Sequence, residues 1–452
     1  MCLSLSTVTG RPTMAAALGG VPGREALVDV NLRELIDSGV FQYPADRYQL
    51  GSLKEYVQPA SIDLPVSGSI FLVKEKVLPF CRRVADLLSE LVLEERSLKG
   101  DGAVLLRGQT YLVHFGKISL PAGHSGSLSP KSSIGRIDLM IRGIVDECGL
   151  YDTVPGGRAA DLWFEITPQS FNVRIKEGLP LTQLMVFRDA ADAKPVKMAE
   201  TPVVFDGYGE PISPRMHDGR LILSLRVPDV HPTAQLPEAP SPGRRPVATT
   251  ASAYHTPPRS TSKATPDRVA AADAPEAAPE AGGAKAAAVA HVSRESCDLV
   301  GYEAVATNEV LDLSKVGEHP AENFFRPVRT SVRGGRLTLE KDRFYILATK
   351  EFIAVPLDLS AEMVPFSHLV GELRAHYAGF FDPGFGYGRA GEVCGTIGVL
   401  EVRPHETITI YDGQPICMMQ YFRNASEPAK PYGFSGNNYA GQQGPKLAKF
   451  FV

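Results

Sequence analysis

One order of short strands and turns occurs twice in this chain. GAVLLRGQTYLVHFGKISLPAGHSGSL, from Gly102, and GRLTLEKDRFYILATKEFIAVPLDLSAEM, from Gly335, both run strand, polar turn, aromatic-bearing strand, short turn, apolar strand, proline and small polar residues. Further on, LWFEITPQSFNVRIKEGLPLTQLMVF (Leu162 to Phe187) parallels GVLEVRPHETITIYDGQPICMMQYF (Gly398 to Phe422). Each has a glutamate in an apolar strand, a proline three residues later, a strand, an x-Gly turn and a further strand with a glutamine near its start. An internal duplication is the economical explanation. Short alternating strands broken by frequent Gly and Pro turns predict an all-β architecture, barrel or double sheet, in each half.

At 452 residues the chain exceeds what one hydrophobic core usually supports, so two domains are expected. From about Pro228 to Ala290 the composition turns to Ala and Pro with Ser, Thr and scattered charges, and aromatics all but vanish. Such a segment buries too little apolar surface to offset chain entropy and reads as a flexible linker. The division is then a tail over 1–24, a first domain over 25–228, a linker over 229–293 and a second domain over 294–452. Helix is sparse: Val30 to Val40 has helical spacing and a glycine stop, and Val84 to Leu98 is the clearest amphipathic helix.

Net charge is −4 with no basic run, which argues against a dedicated nucleic-acid binder. No apolar run approaches the length of a membrane span. The six cysteines are scattered without a CxxC pair, so reduced thiols in a cytoplasmic setting are expected. The first 24 residues carry Arg11 and Arg24, several Ser, Thr and Ala, and no acid before Glu25. An organellar transit segment is the alternative localisation; a disordered tail, or a true start at Met14, is the plainer reading.

Two motifs carry chemistry. SLSPKSSIGRIDL, Ser127 to Leu139, sets Lys131, Ser132, Ser133 and the always-charged Arg136 close together, which suits an anionic phosphate group. AHYAGFFDPGFG, Ala375 to Gly386, is a strand-turn unit ending in Asp382-Pro-Gly, followed by the carboxylate of VLEV, Glu401. Taken singly each has a plain reading: a serine-rich stretch is an N-cap, Asp-Pro-Gly is a turn, and a strand glutamate is commonly exposed or salt-bridged. Their ordered co-occurrence lifts them above that.

In these residues the chain resembles the dCTP deaminase family of the trimeric dUTPase-like (β-clip) fold, in its long tandem form. QPASIDL (Gln58 to Leu64) is similar to the family's early strand motif, and KSSIGRIDL to its RSSLGRLGL phosphate motif, with Lys131 in place of the first Arg. AHYAGFFDPGFG resembles the hairpin that holds the nucleobase, and both VLEV and WFEI, with Glu401 and Glu165, resemble the strand of the catalytic glutamate. The tail from Tyr432 to Phe451, with Tyr439, Gln442 and Lys446, resembles the segment that closes over the nucleotide. The resemblance implies dCTP deamination to dUTP and ammonia, with a glutamate shuttling protons while Ser132 and the carbonyl of Ala378 hold the water and Arg136 stands nearby. It further implies that Lys131, Ser132, Ser133 and Arg136 meet the triphosphate, and that Asp382, Gln414, Tyr439, Gln442 and Lys446 contact the substrate. Mg2+ would accompany the phosphates, dTTP would be an inhibitor, and a homo-oligomer is implied.

The second half has no Ser-Ser-x-Gly-Arg, and the first has YDTVPGGRAAD (Tyr151 to Asp161) where an intact hairpin would stand. Complementary losses suggest one composite site built from both halves. Zinc deaminases use H-x-E with P-C-x-x-C, a pattern this sequence lacks, so a zinc-free deamination is expected. Two alternatives stay open: a dUTP pyrophosphatase or bifunctional enzyme using Asp382, and a non-catalytic nucleotide-binding regulator on the same scaffold.

Overall fold

The computed structural model describes residues 23–43, 53–78, 82–190, 196, 203–228, 298–330, 335–365, 379–433, 439 and 441–452. The expected N-terminal tail up to residue 22, the Ala/Pro-rich segment and Ala378 lie outside the described residues.

The duplication is visible in strand pairing. In the first half, Thr110–Ile118 pairs with Ala160–Pro168, His124–Pro130 with Pro180–Asp189, and Ala103–Leu105 with Asn172–Ile175, all antiparallel. In the second half, Tyr345–Ile353 pairs with Thr396–Val402, Leu359–Pro365 with Pro415–Arg423, and Arg336–Leu339 with Ile408–Tyr411, again antiparallel. Each half is thus two sheets and a small ribbon. Val113, Phe115, Phe164 and Ile166 from one first-half sheet share a buried cluster with Leu128, Leu184 and Val186 from the other. That is the double-sheet, β-clip arrangement expected of the alternating strands.

Pairing draws the division between the halves elsewhere than at 228/229. Arg220–Ser224, ahead of the Ala/Pro segment, pairs with Pro415–Arg423, as Ile62–Pro65 pairs with Pro180–Asp189 in the first half. Leu299–Ala304, after the segment, pairs with Tyr345–Ile353, as Ser69–Val73 pairs with Thr110–Ile118. The Ala/Pro segment therefore stands where the first half has only the turn at 66–68, as an insertion within the second repeat. Composition marks where a chain cannot build a core; it does not mark where a domain ends. The halves also interlock. Val310–Asp312 pairs parallel with Asn172–Ile175 of the first half. Phe324, Phe325, Ala448 and Phe450 sit in the first half's core cluster, and the described parts of both halves form one compact unit.

The first expected helix forms over Asp29–Asp37 and stops ahead of Gly39, at φ +77°. The second is shorter than its periodicity predicts. Val84–Leu91 is helical, but Val92–Ser97 leaves it as an edge strand paired with Ser69–Val73. Sheet pairing offered by a neighbour overrides local propensity there.

The insertion reading has a direct check. Excising Leu236 to Ala287 should leave the melting temperature within about 3 °C, since surface insertions cost little in loop closure. A larger drop would show that the segment packs.

Candidate active site

A single cavity collects side chains from both halves. The first half supplies Gln58, Asp63, Lys131, Ser132, Ser133, Arg136 and Gln183 to its lining. The second supplies Met363, Phe381, Asp382, Phe385, Val399 and Glu401, and the tail adds Tyr432, Tyr439, Gln442 and Lys449.

Glu401 projects from Thr396–Val402, a strand buried at every position, and its side chain is 9% exposed. Burial pushes its carboxyl up to about 7, with the Arg136 guanidinium pulling the other way. Arg136 ends the four-residue helical turn Ser132–Gly135, too short to add much helix-dipole field to the serines. Its Nε lies 4.0 Å from Glu401 Oε1 and has no hydrogen-bond partner among the described residues. Its fork is taken up by the tail. Nη1 donates to the Lys446 carbonyl at 2.8 Å, both terminal nitrogens reach Gln442 Oε1 at 3.5 Å, and the guanidinium stacks 3.8 Å from the Tyr439 ring. Gln442 is tied in turn to the Glu401 strand, donating to the Ile397 carbonyl at 2.6 Å, while Thr396 Oγ1 donates to the Gln442 carbonyl at 2.8 Å.

The hairpin around Asp382 is fixed by a backbone that only glycine allows. Gly386 sits at φ +58°, and a Cβ there would meet the Ile353 carbonyl oxygen at 2.1 Å. Asp382 Oδ1 accepts a 3.1 Å hydrogen bond from Ala60 N, so the early QPASIDL motif of the first half braces the hairpin of the second. Burial pushes Asp382 up to about 7, against the Ala60 hydrogen bond and aided by the Asp63 carboxylate. Asp63 is buried and bonded through Oδ2 to Lys131, and its Oδ1 has no hydrogen-bond partner among the described residues.

Lys131, Ser132, Ser133, Arg136, Asp382, Glu401, Tyr439 and Gln442, all named from the sequence, line this one cavity. Lys446 joins through its carbonyl, and its ammonium stands 5.8 Å from the Tyr439 ring. Two candidates lie elsewhere. Gln414 closes a turn, its Oε1 accepting from Tyr411 N at 3.2 Å, because a glutamine ahead of Pro415 falls before the strand begins. Gln183, on the corresponding strand of the first half, lines the cavity instead. Glu165 occupies the strand equivalent to that of Glu401, but its own chain covers it. Val77 N donates to Oε2 at 3.4 Å, Lys76 Nζ stands 3.9 Å from Oε1, and the residue is 2% exposed. Burial raises its pKa, with Lys76 opposing. Sequence reading singled out none of Gln58, Asp63, Gln183, Tyr432 and Lys449 as site residues, although Gln58 and Asp63 lie in the early strand motif, Gln183 in the repeated strand unit, and Tyr432 and Lys449 in the quoted tail.

A carboxyl poised near neutrality, an arginine beside it and a lysine-serine wall define a nucleotide-handling enzyme site on a duplicated dUTPase-like scaffold. Residues 26–190 match the model of the 2'-deoxycytidine 5'-triphosphate deaminase (DCD) N-terminal domain, and residues 267–451 match that of its C-terminal domain. The chain belongs to the dCTP deaminase family. Among solved structures it resembles 2'-deoxycytidine 5'-triphosphate deaminase from Agrobacterium tumefaciens, at 26% identity and a TM-score of 0.66 over 90% of this chain and 97% of that one. No curated protein gives a significant match.

Two outcomes check this geometry. Between the ordinary glutamate value of 4.5 and about 7, folded Glu401 keeps a proton that the unfolded chain releases. Its contribution to stability is full below the lower value and lost as pH rises through the upper one. The melting temperature of Glu401→Gln relative to the parent should therefore rise by about 2 °C between pH 5 and pH 8. A pH-independent difference contradicts the burial argument. Glu165→Gln should leave turnover within about threefold of the parent, and loss of activity would move the chemistry to the first half.

Proposed function

We propose that this chain hydrolyses the exocyclic amine of dCTP, giving dUTP and ammonia for the supply of thymidylate precursors. The observation that carries the reading is Glu401, a buried carboxyl near neutrality, sharing one cavity with Arg136 and the Lys131-Ser132-Ser133 wall. Met363, Phe381, Phe385 and Val399 give the same cavity an apolar surface for a pyrimidine ring.

Ionised Glu401 takes a proton from the water that attacks C4 and delivers it to N3. The second proton of that water then leaves on the amine as ammonia, restoring the carboxylate. One carboxyl near pH 7 serves both as acceptor and as donor, a role contributing about 10²–10⁴-fold. Arg136, 4.0 Å away, favours the carboxylate without clamping it in a bidentate pair. Ser132 and the carbonyl of Ala378 are the proposed holders of the water. Lys131 and the two serines would face the phosphates.

Mg2+ would enter with the triphosphate, bound mainly through phosphate oxygens and water. Among the described residues Asp63 Oδ1 is a buried carboxylate oxygen of the cavity without a hydrogen-bond partner. On the same reading dTTP, with the same sugar and triphosphate, competes for the cavity, and the chain assembles as a homo-oligomer.

Incubation with dCTP, dUTP and CTP, following ammonia and pyrophosphate separately, tests the proposal. Expected are ammonia from dCTP, persistence in a zinc chelator, and at least a ~10²-fold fall in kcat for Glu401→Gln with dCTP binding retained. kcat/KM should fall as pH drops below about 7, where Glu401 takes up its proton, and this limb should persist in Asp382→Asn. Pyrophosphate from dUTP without ammonia from dCTP would hand the chemistry to Asp382.

A further inference from the structure

Two lysines are among the described residues that line the cavity, and of the two Lys131 alone has a carboxylate partner among those residues. Lys131 Nζ is held by Asp63 Oδ2. Lys449 lines the same cavity, forms no ion pair among the described residues, and has its Nζ 5.8 Å from the Phe450 ring. Half-burial and the nearby Lys131 both push its pKa down, Asp63 opposing. A partly desolvated cation beside a second cation is unfavourable until an anion joins them. Glu401 and Asp382, both pushed toward neutrality, offset these charges only in part.

The main chain around Lys449 is pinned. Lys449 N donates to Tyr439 Oη at 3.2 Å, and its carbonyl accepts from Gly317 N at 2.9 Å. Next to it Phe450 is 2% exposed, and the Phe451 ring packs 5.5 Å from Phe324 and 5.4 Å from Phe325. The ammonium is thus presented from an anchored segment, whereas Lys446, the tail lysine the motif suggested, places its side chain outside the cavity lining.

We infer that Lys449 is a ligand of the nucleotide's phosphate chain and the residue that makes the site prefer a triphosphate to a monophosphate, while Asp63 holds Lys131 in place beside it. This deepens the proposed function and rests on its nucleotide reading. An unpaired ammonium gains most from the ligand carrying most charge, so its removal falls on dCTP and spares dCMP.

The test uses the full chain with Lys449→Gln and Lys449→Arg, measuring KM and kcat for dCTP, and binding of dCTP, dCMP and inorganic tripolyphosphate. For Lys449→Gln the expected result is a rise of about tenfold in KM for dCTP, an equal weakening of tripolyphosphate, dCMP binding unchanged and kcat within about threefold, with Lys449→Arg restoring most of the loss. An intact preference for dCTP over dCMP in Lys449→Gln overturns the inference, as does equal weakening of both, which marks a merely structural role. If the parent protein releases no ammonia from dCTP, the proposed function fails by itself. Tripolyphosphate binding then still decides Lys449: a loss in the Gln variant upholds it as a phosphate ligand, and no change removes it.

Discussion

A guanidinium from one half of the chain and a carboxyl from the other are buried 4.0 Å apart, with a third segment wrapped around the guanidinium. Neither group would be stable there alone: a buried ion without compensation costs several kcal/mol, on the order seen when one partner of a buried pair is removed. Arg136 is compensated by the Lys446 carbonyl, the Gln442 amide and the Tyr439 ring, and Glu401 by its readiness to hold a proton. Apposition of the halves, closure of the tail and a neutral-range carboxyl are thus parts of one arrangement. Arg403 makes a second charged link between the halves, reaching from the second to Asp138 and Ser170 of the first.

The duplicated scaffold explains why the site is assembled this way. Each repeat offers the same strand for a glutamate and the same place for a hairpin, but only one copy of each is turned to the cavity. In the first repeat the Glu165 strand is covered by the segment holding Lys76 and Val77, and its glutamate accepts their hydrogen bond and charge. In the second repeat the Glu401 strand faces the phosphate motif of the first. The hairpin that accompanies it is braced across the halves by Ala60 on Asp382. Loss of a hairpin in one copy and of the serine-arginine motif in the other follows when a single cavity draws on both.

Much of this was legible in the sequence because it is written in local pattern. Strand alternation, turn glycines and prolines recur in register in both halves, and the pairing repeats with them. The composite site was legible from complementary losses of motif, and fifteen of its lining side chains fall in the quoted motifs around Lys131, Asp382, Glu401 and the tail. What escaped depends on long-range placement. The strand Arg220–Ser224 reads like any other, and only its pairing with Pro415–Arg423 assigns it to the second repeat. Val92–Ser97 has helical spacing but joins a sheet edge. Gln414 was expected at the site because it stands near a strand start, but it precedes Pro415–Arg423 and closes a turn, whereas Gln183 lies inside Pro180–Asp189. Lys449 lies in the quoted tail, but its place in the cavity becomes visible only once Phe450 and Phe451 are seen to anchor that segment.

The central claim is that two repeats make one site. Calorimetric titration of the Glu401→Gln protein with dCTP counts sites directly, whatever the assembly, when expressed per chain. The account predicts one nucleotide per chain. Two per chain would show that the Glu165 half forms a site of its own, and would contradict it.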